Sequence, residues 1–427
     1  MRLHHVVVCI FIPLSCALAV AAERPSPPEC ALDCQQEALR STACSDTTCL
    51  CADKNYQAAL SSCTTANCTV QDALLAKYVD SRECGLPITQ RYPEADGGTI
   101  FPFAVATILF ALRIAAKSLQ LGGGWGADDY TITIAYFLAI TVFSVNISMI
   151  HYGFGRNIWD IYPQQNITKA YKLFYAFVLA YKALMSLAKI SVCLFLLRIF
   201  QSTVFRRTAY AIIGINAAIA ITWMLVDSFH CIPVHLAWTQ WQGLEQGKCI
   251  DFTAATFANG CVNIAIDAIM VVMPLYEVLK LNLSRQKKIG VALMFASGLI
   301  LTVIGVIRVV IFSQNSSNKN PTYEMQALNR WSVIECQIAI TCACLPATRP
   351  MLVRFFPNVL GASTGQASTG HPHKYREPSE AELRTGPLTH KSSISKTVSY
   401  SVDYGSKSQR RLSNGFTPLT EVESNKG

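Results

Sequence analysis

Residues 173–197 read LFYAFVLAYKALMSLAKISVCLFLL, and this stretch decides the fold class. It is apolar for about the length a helix needs to cross the hydrocarbon core of a bilayer. Only Lys182 and Lys189 interrupt it with charge, and they stand seven residues apart, on one helical face. Working outward, similar runs recur at 97–116, 130–150, 209–229, 252–275, 289–312 and 328–347. A buried helix of a soluble protein can be this apolar, but seven in succession cannot. The chain is therefore expected to carry seven membrane-spanning helices over 97–356. Composition agrees: of 427 residues 51% are hydrophobic and 15% charged, where a soluble domain carries about 25% charged residues. The net charge of +9 does not point to nucleic acid, because the basic residues lie between apolar runs. Membrane lipid is the expected partner.

Upstream of the spans the reading changes. Arg2, an apolar stretch over 6–18 and the small residues Ala19, Ala21 and Ala22 read as a secretory signal peptide over 1–22. The apolar stretch is too short to span, so cleavage is expected, with the new N-terminus outside. Residues 23–96 then form an extracellular module and linker. Eight of the 17 cysteines fall between Cys30 and Cys84, at Cys30, Cys34, Cys44, Cys49, Cys51, Cys63, Cys68 and Cys84. Such density belongs to oxidising compartments, where crosslinks replace a core that a short segment cannot build. Zinc is disfavoured because no CxxC pair repeats. Helix-like stretches lie at 31–39, 56–62 and 70–78.

With the N-terminus outside, seven spans place the C-terminus in the cytoplasm of a plasma-membrane protein. The basic residues Arg198, Arg206, Arg207, Lys280, Arg285, Lys287 and Lys288 then fall on the cytoplasmic side, following the positive-inside bias. Cys231 and Cys249 share the outer loop between spans four and five and are expected to form a disulfide. Sequons at Asn67, Asn166 and Asn315 are also on the outer side. From 357 onward Ser, Thr, Gly, Pro and Lys replace the apolar pattern, so 357–427 is expected to be a disordered cytoplasmic tail. Arg410-Arg411-Leu412-Ser413 reads there as a kinase site at Ser413.

Charges inside a bilayer are costly and face partners or cavities. Span five carries Asn263 and Asp267 on one face. Counting rise from the outer ends sets Lys182 level with Asn263 and Lys189 level with Asp267. An ion pair Lys189–Asp267 is expected, and Arg308 with Glu335 in the outer half of spans six and seven. These pairs satisfy the charges structurally or act as a conformational latch.

The cysteine spacing, with Cys49-Leu50-Cys51 and Asp46 three residues before Cys49, resembles the CFEM module of fungal extracellular membrane proteins. The resemblance implies the pairs Cys30–Cys68, Cys34–Cys63, Cys44–Cys49 and Cys51–Cys84. In haem-binding members the aspartate at the Asp46 position is the axial iron ligand; read from the residues alone, Asp46 caps the helix or turn before Cys49. A second resemblance covers about 99–356. Its motifs are Arg113 with Gly124-Trp125-Gly126-Ala127-Asp128-Asp129-Tyr130; Gly153-Phe154-Gly155-Arg156; Lys189-Ile190-Ser191; Leu197-Arg198-Ile199-Phe200; Cys231 with Pro233, Trp238 and Cys249; Asn263 with Asp267 and Pro274; Trp331 with Glu335; and Pro346 with Arg349-Pro350. This pattern is similar to the fungal seven-helix rhodopsin-domain family, of the appressorium-surface-sensor type. It implies an all-α receptor for an unidentified extracellular ligand, coupled to a heterotrimeric G protein. Arg206, Arg207, Lys287 and Lys288 are the expected coupling residues; membrane orientation alone also accounts for their charge.

Retinal is not expected, because a Schiff base needs a lysine and 328–347 contains none. Asp/Glu-Arg-Tyr at the end of span three and Asn-Pro-x-x-Tyr in span seven are both missing. Catalysis is not expected either. His151, His230 and His235 lack metal-site spacing, and Gly122-Gly123-Gly124 lacks the lysine of a phosphate loop. The alternative function is haem or iron handling at the cell surface, with the bundle as anchor.

Overall fold

The computed structural model describes residues 25–44, 46–120, 124–280, 285–314 and 320–355, without the side chains of 277–295, 297 and 349–355. The signal segment 1–22, the tail with Ser413, Asn315, and the side chains of Lys287 and Lys288 lie outside the described residues. The described chain is almost wholly helical.

Four short helices form a cap: α1 (Glu29–Leu39), α2 (Thr47–Ala52), α3 (Lys54–Asn67) and α4 (Val70–Glu83). Side chains start two of them. Asp53 accepts from the Asn55 N–H at 2.9 Å, and Thr69 from the Asp72 N–H at 3.2 Å, each satisfying a donor that a helix start leaves unpaired. The core is thin. Ala31, Cys34, Ala38 and Tyr56 are its buried hydrophobic residues, so disulfides hold what packing cannot. They join Cys30 to Cys68, Cys34 to Cys63, Cys44 to Cys49 and Cys51 to Cys84. The helix or turn expected after Asp46 is the short helix α2, which itself contains Cys49 and Cys51.

Seven long helices follow among the described residues: α5 (Gly97–Ser118), α6 (Ala127–His151), α7 (Gln165–Ile199), α8 (Thr203–Ser228) and, after the four-residue α9 (Leu236–Thr239), α10 (Phe252–Lys280), α11 (Arg285–Gln314) and α12 (Pro321–Phe355). Six are long and apolar enough to cross a membrane; the described apolar part of α11 is the shorter Gly298–Gln314. In the loop between α8 and α10, β1 (Cys231–Ile232) pairs antiparallel with β2 (Lys248–Cys249), and a disulfide joins Cys231 to Cys249.

Small residues let these helices approach closely. Ala135 and Ala139 of α6, Ala188 of α7, and Ala339 and Ala343 of α12 are buried in one cluster with Phe177, Leu184 and Ile340. Two helices outrun the apolar runs that predicted them. Helix α7 begins eight residues before 173, and α12 begins seven before 328. The added turns meet other parts of the protein: Gln326 of α12 bonds to the backbone of Tyr92, and Thr168 of α7 accepts from the Trp241 indole N–H at 3.1 Å.

Candidate functional site

The joint over 85–96 is short, and hydrogen bonds seat it on the bundle. The Arg91 N–H donates to the Gly155 carbonyl at 3.0 Å. The Gln90 side chain accepts from Arg156 at 2.8 Å and donates to the Phe154 carbonyl at 3.1 Å. Gly155 holds φ at +94°, and a Cβ there would stand 1.9 Å from the Gln326 amide oxygen; a side chain would displace Gln326. Gln326 instead accepts from the Tyr92 N–H at 3.2 Å and donates to its carbonyl at 3.3 Å. Arg330 meets Asp96 at 2.5 Å and lies over the Tyr92 ring. Burial pushes the Asp96 carboxyl up, but hydrogen bonds from Arg330 and the Gly98 N–H more than reverse this and hold it below its ordinary value. The cap also reaches the loop after α6: Arg82 pairs with buried Asp160 at 2.9 Å, and Tyr78 stacks on Tyr162.

Below the joint runs a chain of buried polar groups. Lys182 of α7 forms an ion pair with Asp227 at the end of α8. The level depth of Lys182 and Asn263 is borne out, since both line one small pocket with Trp223 and Asn259. Lys182 takes the full carboxylate of Asp227, whereas Asn263 accepts from Lys189 at 2.9 Å. A carboxylate neutralises the ammonium and an amide cannot. Lys189 also pairs with Asp267 at 2.8 Å, and both are buried. Asn263 in turn donates to the Asn259 carbonyl and side-chain oxygens at 2.9 Å each. Arg308 of α11 meets Glu335 of α12 at 3.3 Å, and the Tyr181 hydroxyl bridges them, donating to Glu335 at 2.8 Å and accepting from Arg308.

A second cluster closes the bundle at the end opposite the cap. Arg113 of α5 is 1% exposed. It reaches Asp128 at 2.7 Å, Asp129 at 2.8 Å and the Ala343 carbonyl at 2.8 Å. Lys117 pairs with Asp129 at 3.0 Å, and Arg198 with Asp128 at 2.9 Å. Arg198 had been read as a loop charge that orients the chain. Its guanidinium folds back onto α6 instead, because two buried carboxylates at one helix start need cations. The motif residues Arg113, Asp128 and Asp129 were visible in sequence, but their mutual contact was not. Asp227 and Tyr181 were missed. A lone carboxylate inside an apolar run was the available signal for Asp227; Tyr181 had none.

The other expected residues are dispersed. Arg206 and Arg207 are exposed in the first turns of α8. Asn67 is exposed at the end of α3, and Asn166 is half-buried in the first turn of α7. Asp46 occupies the N-cap position of α2, yet its side chain makes no cap hydrogen bond; its role as a cap is corrected accordingly. Its carboxylate is exposed. A porphyrin also needs an apolar platform, and the 440 Å³ cleft of the cap does not provide one at Asp46. That cleft is lined by α3, α4 and Trp159 and does not include Asp46. The donor suits haem and its surroundings do not, so no haem chemistry is derived.

Comparison with known proteins matches this geometry segment by segment. The pattern of the fungal rhodopsin domain matches residues 112–354, which hold both ionic clusters. The chain belongs to the fungal rhodopsin domain family. The CFEM domain matches residues 23–85, the crosslinked cap. Among relatives, Receptor GIN3 of Arthrobotrys oligospora is 24% identical over 65% of this chain and 70% of its own length. A SAT4 family membrane protein of Emericella nidulans is 26% identical over 56% of this chain and 57% of its own. The polyenoic acids biosynthesis gene cluster protein Ba17b of Metarhizium anisopliae is 25% identical over 75% and 90%. No solved structure matches.

Proposed function

We propose that this membrane protein is a cell-surface receptor, non-catalytic, with the cap outside and the C-terminus in the cytoplasm. One observation carries the reading. The joint grips α12 through Tyr92–Gln326 and Asp96–Arg330, and the same helix carries Glu335 into the buried network. A ligand that moves the cap therefore loads the helix whose charge is fixed inside the bundle, and can bias two arrangements of it. The receptor named among the relatives supports the reading. On the cytoplasmic side, exposed Arg206 and Arg207, together with Lys287 and Lys288, offer a basic surface to a heterotrimeric G protein, and Ser413 a phosphorylation site. Asn67 is the sequon best placed for a glycan.

The test compares cells carrying the chain, cells lacking it and cells carrying Arg330→Ala. Each is exposed to a hydrophobic surface with a cAMP or MAP-kinase readout. The response should vanish without the chain and fall in Arg330→Ala. Equal responses in all three contradict the proposal.

A further inference from the structure

The cap end of the bundle holds a partly open cavity of about 290 Å³. Its walls are mostly apolar and aromatic: Tyr171, Phe174, Tyr175 and Val178 of α7, Phe252 of α10 and Met325 of α12. Ala237 and Gln240 of the loop that the Cys231–Cys249 disulfide closes line it too, as do Thr253 and Pro321. The polar groups at the cavity are few and mostly engaged. Asp227 is neutralised by Lys182, so the site carries no uncompensated carboxylate. Tyr175 donates to the Ser228 carbonyl at 3.1 Å. His230 Nδ1 lies 2.7 Å from the Asp227 carbonyl. A carbonyl only accepts, so Nδ1 carries the proton and Nε2 is left as the acceptor of the neutral ring. Among the described residues the Tyr171 hydroxyl has no hydrogen-bond partner.

We propose that this cavity binds a neutral aromatic molecule of about two fused rings that carries a hydroxyl group. Size follows from volume: an apolar cavity of about 150 Å³ holds benzene, and this one is about twice as large. Neutrality follows from the compensated charges, because a charged guest would be left unpaired. The hydroxyl follows from what remains to be satisfied: it can accept from Tyr171 and donate to His230 Nε2. The inference deepens the receptor reading and rests on it for any consequence in cells, but not for binding itself.

The test uses the full chain in lipid nanodiscs with 2-naphthol as probe. Equilibrium dialysis against empty nanodiscs subtracts partition into lipid. Saturable binding of one 2-naphthol per chain is expected. 2-Naphthol on Tyr171→Phe should bind roughly two- to tenfold more weakly, as loss of one hydrogen bond dictates, and naphthalene, which makes neither bond, should bind more weakly still. 2-Naphthoate and a naphthylmethyl-trimethylammonium ion should not bind. Val178→Phe and Ala237→Trp fill the cavity from the bundle and from the loop, and each should abolish binding with an unchanged unfolding midpoint. Should one variant fail to fold, the other decides. Binding no greater than to empty nanodiscs overturns the proposal. So does binding that survives filling, as a lipid-facing site would allow, or equal binding of the charged analogues. Saturable binding without any cellular response leaves the site standing and removes the receptor reading; a response without binding does the reverse.

Discussion

Replacing Lys189 by Met removes one charge from the middle of the bundle and keeps the bulk of the side chain. Lys189 and Asp267 are 5% and 7% exposed, and their charged atoms are 2.8 Å apart. The substitution strands the Asp267 carboxylate, because the other nearby cation, Arg308, is held by Glu335 and Tyr181. Breaking a buried pair from one side costs about 3–5 kcal/mol. Asn263 adds little to this, since its amide N–H groups still reach Asn259. Asp267→Leu strands the ammonium at a similar cost. The double variant Lys189→Met/Asp267→Leu strands nothing and should return to within about 1–2 kcal/mol of the parent, because apolar replacement of a whole buried pair is often neutral. The molecule provides its own assay. Cys193, Cys336, Cys342 and Cys344 are buried and lie outside the disulfides. A thiol-reactive fluorophore therefore labels the buried four on unfolding. A coupling energy above about 2 kcal/mol is expected from the four-variant cycle. Effects that add to within about 0.5 kcal/mol would refute the reasoning.

At the end opposite the cap, three cations face two carboxylates, so Asp129→Asn leaves a buried excess of positive charge and should cost about 3–5 kcal/mol in the same assay. Arg198→Ala should cost no more than about 1 kcal/mol, because its side chain is 39% exposed and solvent screens it. Cys231→Ser should destabilise the chain by about 2–4 kcal/mol by releasing the loop, with a matching loss of amide-exchange protection around β1 and β2; an unchanged exchange profile would count against that role. Asp96 is held below its ordinary 3.8 by Arg330 and the Gly98 N–H. Its contribution is therefore complete above that pH and disappears as the pH falls through the lowered value. Amide exchange over 85–96 should accelerate across that window, and Asp96→Asn should exchange faster at neutral pH without the dependence.

The membrane helices were readable because lipid imposes length and apolarity on each of them. The spacing of Lys182, Lys189, Asn263 and Asp267 was readable too, because helical periodicity sets which residues share a face. What periodicity cannot provide is the rotation of one helix against another. Asp227, the partner of Lys182, was therefore missed, and Arg198 was left in a loop. The polar starts of α7 and α12 were hidden for a related reason. Hydropathy reports lipid contact, and these turns meet protein instead, Gln326 at Tyr92 and Thr168 at Trp241. Helix α2 could be read only as a helix or turn, because a six-residue helix between paired cysteines carries no apolar period of its own.

The account as a whole depends on the cap and the chain's last residues lying on opposite faces of one membrane. Epitope tags after residue 24 and after residue 427, probed with antibody in intact and then permeabilised cells, test this most directly. The first tag should stain intact cells, and the second only after permeabilisation. Staining of both tags under the same condition would contradict the account.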